Sequence, residues 1–168
     1  MNTGFRQYKL PNNITNNQNI EINDDKYLKE DSKLFYALDG DDVTQCVLYQ
    51  PQGESLKDAE IVITFDKIYN CDYIQLICNT AINTVDIYDY SNNEKGILLL
   101  TQIDGQEEQI SQVVQIPLSA VLITNLSPVE GDEIEIKAIN AFNNEIEPPL
   151  GFYFREIEIQ SNTREEEE

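Results

Sequence analysis

The sequence predicts an all-β fold, an antiparallel β-sandwich of eight or nine strands preceded by an extended N-terminal arm. Three observations predict it. Short apolar runs alternate with polar residues at period 2; the runs recur at roughly the 8–12-residue spacing of sandwich strands; and β-branched residues and Tyr fill them, while no segment keeps a helical period. Glu60 to Asp66 places Ile61, Ile63 and Phe65 on one face, Asp72 to Cys78 places Ile74, Leu76 and Cys78 together, and Thr84 to Tyr90 does the same with Val85 and Ile87. Further strands are expected over Ile97 to Ile103, Ile110 to Ile116, Val121 to Leu126, Glu133 to Ile139 and Phe152 to Ile159. Turn residues separate them: Ser91-Asn92-Asn93, Asp104-Gly105, Ser127-Pro128, Glu130-Gly131-Asp132 and Asn143-Asn144.

Charge divides the chain. Residues 1–33 hold five basic and five acidic groups, whereas residues 34–168 hold six and 26, so the whole net charge of −20 lies beyond residue 33. The first segment is neutral and rich in Asn (Asn12, Asn13, Asn16, Asn17, Asn19, Asn23) with few large apolar residues. Such a composition buries too little surface to offset its ordering entropy, which predicts a mobile arm over 1–33. The sandwich is expected over 34–160, followed by an acidic tail over 161–168 that ends in four Glu.

Composition removes most function classes. A polyanion is repelled by phosphate backbones and anionic lipid, so nucleic acid and membrane surfaces are not expected partners. The chain has no His, which closes Ser-His-Asp and Cys-His catalysis and the common zinc sites. Carboxylate pairs alone suffice for glycoside hydrolysis, but with 31 acids no pair stands out. No Gly-rich phosphate loop or Gly-x-Ser-x-Gly elbow is present, and no catalysis is expected. Three Cys (Cys46, Cys71, Cys78) are too few and too scattered for a disulfide framework. Met1 to Leu10 carries no signal-type apolar run, which predicts synthesis in a reducing cytoplasm.

Ala37-Leu-Asp39-Gly40-Asp41-Asp42-Val-Thr44 resembles the A-x-D-G-D/N-x-x-T loop of discoidin-like, or galactose-binding-like, jelly-roll sandwiches. The strands that follow, and a closing Arg155-Glu-Ile-Glu-Ile159, come in the order that family shows. The resemblance implies a structural Ca2+ held by Asp39, Asp41, Asp42, Thr44 and Glu156. Calcium takes about six to eight hard oxygen ligands, and a Gly allows the tight bend that aims carbonyls inward. The alternative for the same residues is an acidic turn capped by its own side chains. Carbohydrate-binding members usually place a Trp two residues after the Thr; here the residue is Cys46, and the chain has no Trp. Tyr49, Tyr69, Tyr73, Tyr88, Tyr90 and Tyr153 are the rings left for a sugar face, and most are expected to pack on the sheet.

Arm and acidic domain together point to a non-catalytic structural or attachment component of a larger assembly. A bacteriophage virion accessory protein of tail, neck or capsid surface, docking other subunits or copies of itself through its arm, fits them best. The alternatives are a calcium-stabilised carbohydrate-binding module with a glycan partner, and a cytosolic protein-protein adaptor.

Overall fold

The computed structural model describes residues 12–41 and 43–143. Among the described residues seven antiparallel strands form: β1 (Asn12–Asn13), β2 (Asn19–Ile22), β3 (Cys46–Tyr49), β4 (Ile61–Asp89), β5 (Leu98–Gln102), β6 (Glu107–Pro128) and β7 (Glu133–Asn143). Three short 3-10 turns, Asp25–Tyr27, Leu34–Ala37 and Leu56–Asp58, are the helical content of the described residues.

The expected runs are extended, but several fuse. β4 takes in three of them and β6 two, because the residues between the runs, Lys67 to Asn70 and Asn79 to Asn83 in β4 and Pro117 to Ala120 in β6, stay extended. Register breaks between Thr64 and Tyr69 and between Ile77 and Ile82 mark where β4 bends. Bulges turn a strand without ending its pairing. Ser127 and Pro128, expected in a turn, close β6 instead. Phe152 to Ile159 and the acidic tail lie outside the described residues.

Because β4 and β6 bend, each serves both layers of the sandwich. In one layer Ile123 of β6 pairs with Ile61 on one side and Ile87 on the other, with β2 and β5 at the outer edges. In the other, β7 lies between the middle of β4 and the pair β1 and β3, and the first half of β6 flanks β4. Alternation sends Ile61, Ile63, Ile74, Leu76, Val85 and Ile87 inward, where they meet Ile123, Leu126, Ile134 and Ile136 in one core.

The described part of the expected arm is folded. From Asn12 onward it belongs to the same compact unit, which runs from Asn12 to Asn143. Ile14 and Tyr27 are 3% exposed and Thr15 is 1% exposed. The Asn-rich composition misled because an amide is both donor and acceptor and can fasten a strand to a backbone. Asn23 donates to the Asp58 carbonyl at 3.0 Å and accepts the Glu60 N–H at 2.9 Å, as a peptide group would. Asn13 Oδ1 accepts the Ala141 N–H at 3.2 Å. Met1 to Pro11 lie outside the described residues.

Candidate functional site

The Asp39 loop is closed by its own groups. One Asp39 oxygen accepts the Asp41 N–H at 2.9 Å and the other accepts the Thr44 hydroxyl at 2.7 Å, while Asp41 Oδ1 accepts the Val43 N–H at 2.8 Å. Gly40 turns the chain at φ +70°, a region a β-carbon disfavours. Three of the five expected cation ligands, Asp39, Asp41 and Thr44, are thus neighbours; Asp42 and Glu156 lie outside the described residues. The oxygens are of the hard kind that suits calcium. They are engaged in Asx-type turns, and among the described residues no group of three or more His, Cys, Asp or Glu is placed to hold a metal.

A different cluster forms a cleft of about 380 Å³ where the connection from β1 to β2 meets the first bend of β4. β1 contributes Asn12 and Asn13, the connection contributes Asn16 and Gln18, and the bend contributes Asp66 and Tyr69. The Gln18 N–H bonds the Thr15 carbonyl at 3.1 Å across a turn in which Asn17 takes φ 60°, a value Asn tolerates. That turn aims Gln18 at β4. Its Nε2 donates to Asp66 Oδ1 at 2.9 Å, and its Oε1 accepts the Asp66 N–H at 3.0 Å.

Tyr69 completes the cluster. Its hydroxyl donates to Asp66 Oδ1 at 2.6 Å, its ring meets Phe65 edge-on at 6.1 Å, and the Lys67 ammonium lies 5.1 Å from its centroid. The Tyr69 and Gln18 hydrogen bonds hold the Asp66 carboxyl below its ordinary value, and the same bond raises the Tyr69 phenol. Both side-chain donors fall on Oδ1, so this network does not use Oδ2. The cleft therefore presents an ionised acceptor, several amides and an aromatic ring. A second hollow, of about 290 Å³ beside Thr80, Ala81, Val129 and Glu130, has no ring among these.

The cysteines take no part in a site. Burial pushes Cys46 and Cys78 up to about 12 and Cys71 to about 11, so all three stay thiols at neutral pH. Cys46 and Cys78 both register with Ile136 from opposite sides of β7. Two strand spacings put their Cα atoms about 10 Å apart, beyond the roughly 7 Å that a disulfide allows. Cys46, two residues after Thr44, is wholly buried, so this position belongs to the core.

No protein-family model matches the sequence, and no curated relative matches it. Solved structures do. A family 32 carbohydrate-binding module of NanJ from Clostridium perfringens, in complex with galactose, superposes with a TM-score of 0.64 at 15% identity over 80% of this chain and 100% of that one. The fold is the galactose-binding-like, or discoidin-like, β-sandwich. Chitosan-binding module 1 of a chitosanase/glucanase from Paenibacillus sp. IK-5 gives a TM-score of 0.63 at 11% identity over 79% of this chain and 99% of that one. A family 89 glycoside hydrolase from Clostridium perfringens gives 0.63 at 17% identity, over 79% of this chain and 14% of the enzyme. The chain thus spans a small part of that enzyme and the full length of the two modules.

Sequence reasoning singled out Tyr69 only as one tyrosine of six and missed Asp66, Gln18 and the amides. Asp66 is one acid among 31, and its partner Gln18 lies 48 positions away in a segment whose composition reads as mobile. Only the strand pairing brings them together.

Proposed function

We propose that this chain is a non-catalytic carbohydrate-binding module that takes a neutral saccharide in the cleft at Asp66 and Tyr69. The observation that carries the reading is the cleft's donor and acceptor set, a carboxylate, amides and a ring held by a pre-formed hydrogen-bond network. Sugar hydroxyls both donate and accept. A carboxylate takes their protons in short, charge-assisted bonds, amides serve both directions, and a ring covers the C–H face. The full-length likeness to two carbohydrate-binding modules supports this reading. Acidic sugars are disfavoured, because the cleft holds Asp66 and the chain carries −20.

The expectation of a virion subunit that docks through residues 1–33 loses its main support. From Asn12 onward that segment is already bonded within this chain's own sheet.

Affinity follows from size. A hexose has about 12 heavy atoms, and about 0.3 kcal/mol per atom in an open site gives about −4 kcal/mol, a Kd near 1 mM. A glycan array followed by calorimetry tests the reading: neutral glycans bind the wild type, and Asp66→Ala weakens them at least tenfold. No binding to any neutral glycan at tens of millimolar refutes it.

A structural calcium at Asp39, Asp41, Asp42, Thr44 and Glu156 is a separate part of the proposal, resting on the oxygen chemistry of the loop. It would lower the repulsion within a chain of net charge −20 and play no part in sugar contact.

A further inference from the structure

We infer that the ligand is an oligosaccharide that continues from the cleft across the outer face of the layer containing β1, β7, β4 and β6; this rests on the saccharide reading above. The β-sheet register carries the argument. Asn13 pairs with Phe142, Phe142 with Tyr73, and Tyr73 with Val113, so these four form one row across four strands. Directly opposed residues share a face. It is the outer face, since the alternate residues Ile74, Leu76, Ile139 and Ala141 are buried in the core. Three strand spacings make the row about 14 Å long, well beyond a single sugar ring.

The chemistry of that face alternates as a sugar chain does. Tyr73 and Phe142 pack at 5.3 Å between centroids, and Val113 beside them is 63% exposed, which makes an apolar strip. Alongside runs a ladder of amides: Asn13 Nδ2 donates to Asn140 Oδ1 at 2.8 Å, and Asn140 Nδ2 donates to Gln75 Oε1 at 2.9 Å. Each amide orients the next, so the ladder is polarised and Gln75 Nε2 is its terminal donor. An apolar strip beside a fixed polar one suits a polymer with C–H faces and hydroxyl edges.

Continuity selects the occupant. Asn13 lines the cleft and also begins the ladder, so the track starts at a residue of the cleft itself.

Calorimetry with N-acetylglucosamine, galactose and their β-1,4-linked tetramers tests the inference. In the wild type a tetramer binds at least tenfold tighter than its own monomer. Tyr73→Ala and the milder Gln75→Ala remove that excess and leave monomer affinity unchanged, with thermal melts confirming that both variants fold. Equal affinity for monomer and tetramer, or variants that weaken both alike, overturns the track while the cleft reading stands. No binding by the wild type of these four sugars or of any other neutral glycan on the array overturns both.

Discussion

Replacing Ile14 by Ala tests whether the Asn-rich segment is an arm or part of the domain. Ile14 is 3% exposed, its N–H bonds the Ala141 carbonyl at 2.7 Å, and it belongs to the same core cluster as Ile63 and Ile139. Truncating a buried Ile loses the transfer free energy of its carbons and leaves a cavity, a cost of about 2–5 kcal/mol. Ile14 follows β1, a two-residue edge strand whose surroundings can partly relax, so we take about 2–4 kcal/mol. For a chain of this size that lowers the melting temperature by roughly 5–15 °C. Thermal melting and urea unfolding measure it, with the exposed Glu21→Ala in the same segment as a control expected within about 0.5 kcal/mol of wild type. If Ile14→Ala melts within 2 °C of the control, the segment is not part of the folded unit and the cleft loses the connection that supplies Gln18.

Three other outcomes follow from the same structure. Asp66 has a lowered folded-state value, so its contribution to stability is present above the ordinary carboxylate value of 3.8 and is lost as pH falls through the folded value. Tyr69→Phe deletes the largest cause of that lowering, so NMR titration of the Asp66 carboxyl should find its midpoint moved upward; an unchanged midpoint removes Tyr69 from the network. Ellman's reagent at pH 8 should find no reactive thiol in the folded protein and three in denaturant, given the burial of Cys46, Cys71 and Cys78; rapid labelling of any one contradicts the packing. Saturating calcium should raise the melting midpoint over that in chelator, and Asp39→Asn should abolish the rise; no shift refutes the calcium proposal.

Period-2 alternation found the runs that make β4, β5, β6 and β7, because burial on one face of a strand writes itself into the sequence directly, but it found none of β1, β2 and the four-residue β3. Ile61, Ile63 and Phe65, or Ile74, Leu76 and Cys78, face inward as the pattern requires. The fusion of runs into β4 and β6 was not legible, since the apolar alternation lapses between the runs while irregular register lets the pairing continue, as between Thr64 and Tyr69 and between Ile77 and Ile82. Nor was the role of residues 12–23. Ile20 and Ile22 alone are a weak strand signal, and what fastens the segment is amides such as Asn13, Gln18 and Asn23 bonding to partners far along the chain. The cleft fails to show in sequence for the same reason. Its one aromatic ring and one carboxylate come from a bend in β4, and its amides come from a segment that composition marks as unstructured. The Asp39 loop, by contrast, was legible because its hydrogen bonds join residues two to five positions apart.

Chemical-shift mapping with a neutral glycan that binds on the array tests the central claim most directly. Titrated into 15N-labelled protein, the glycan should move the backbone amides of Asn13, Gln18, Asp66 and Tyr69 and the side-chain amides of Asn13 and Gln18 together in one saturable transition, with the Asp39 to Thr44 loop unmoved. Shifts confined to that loop, or to the hollow beside Thr80 and Val129, would place saccharide binding elsewhere and contradict the account.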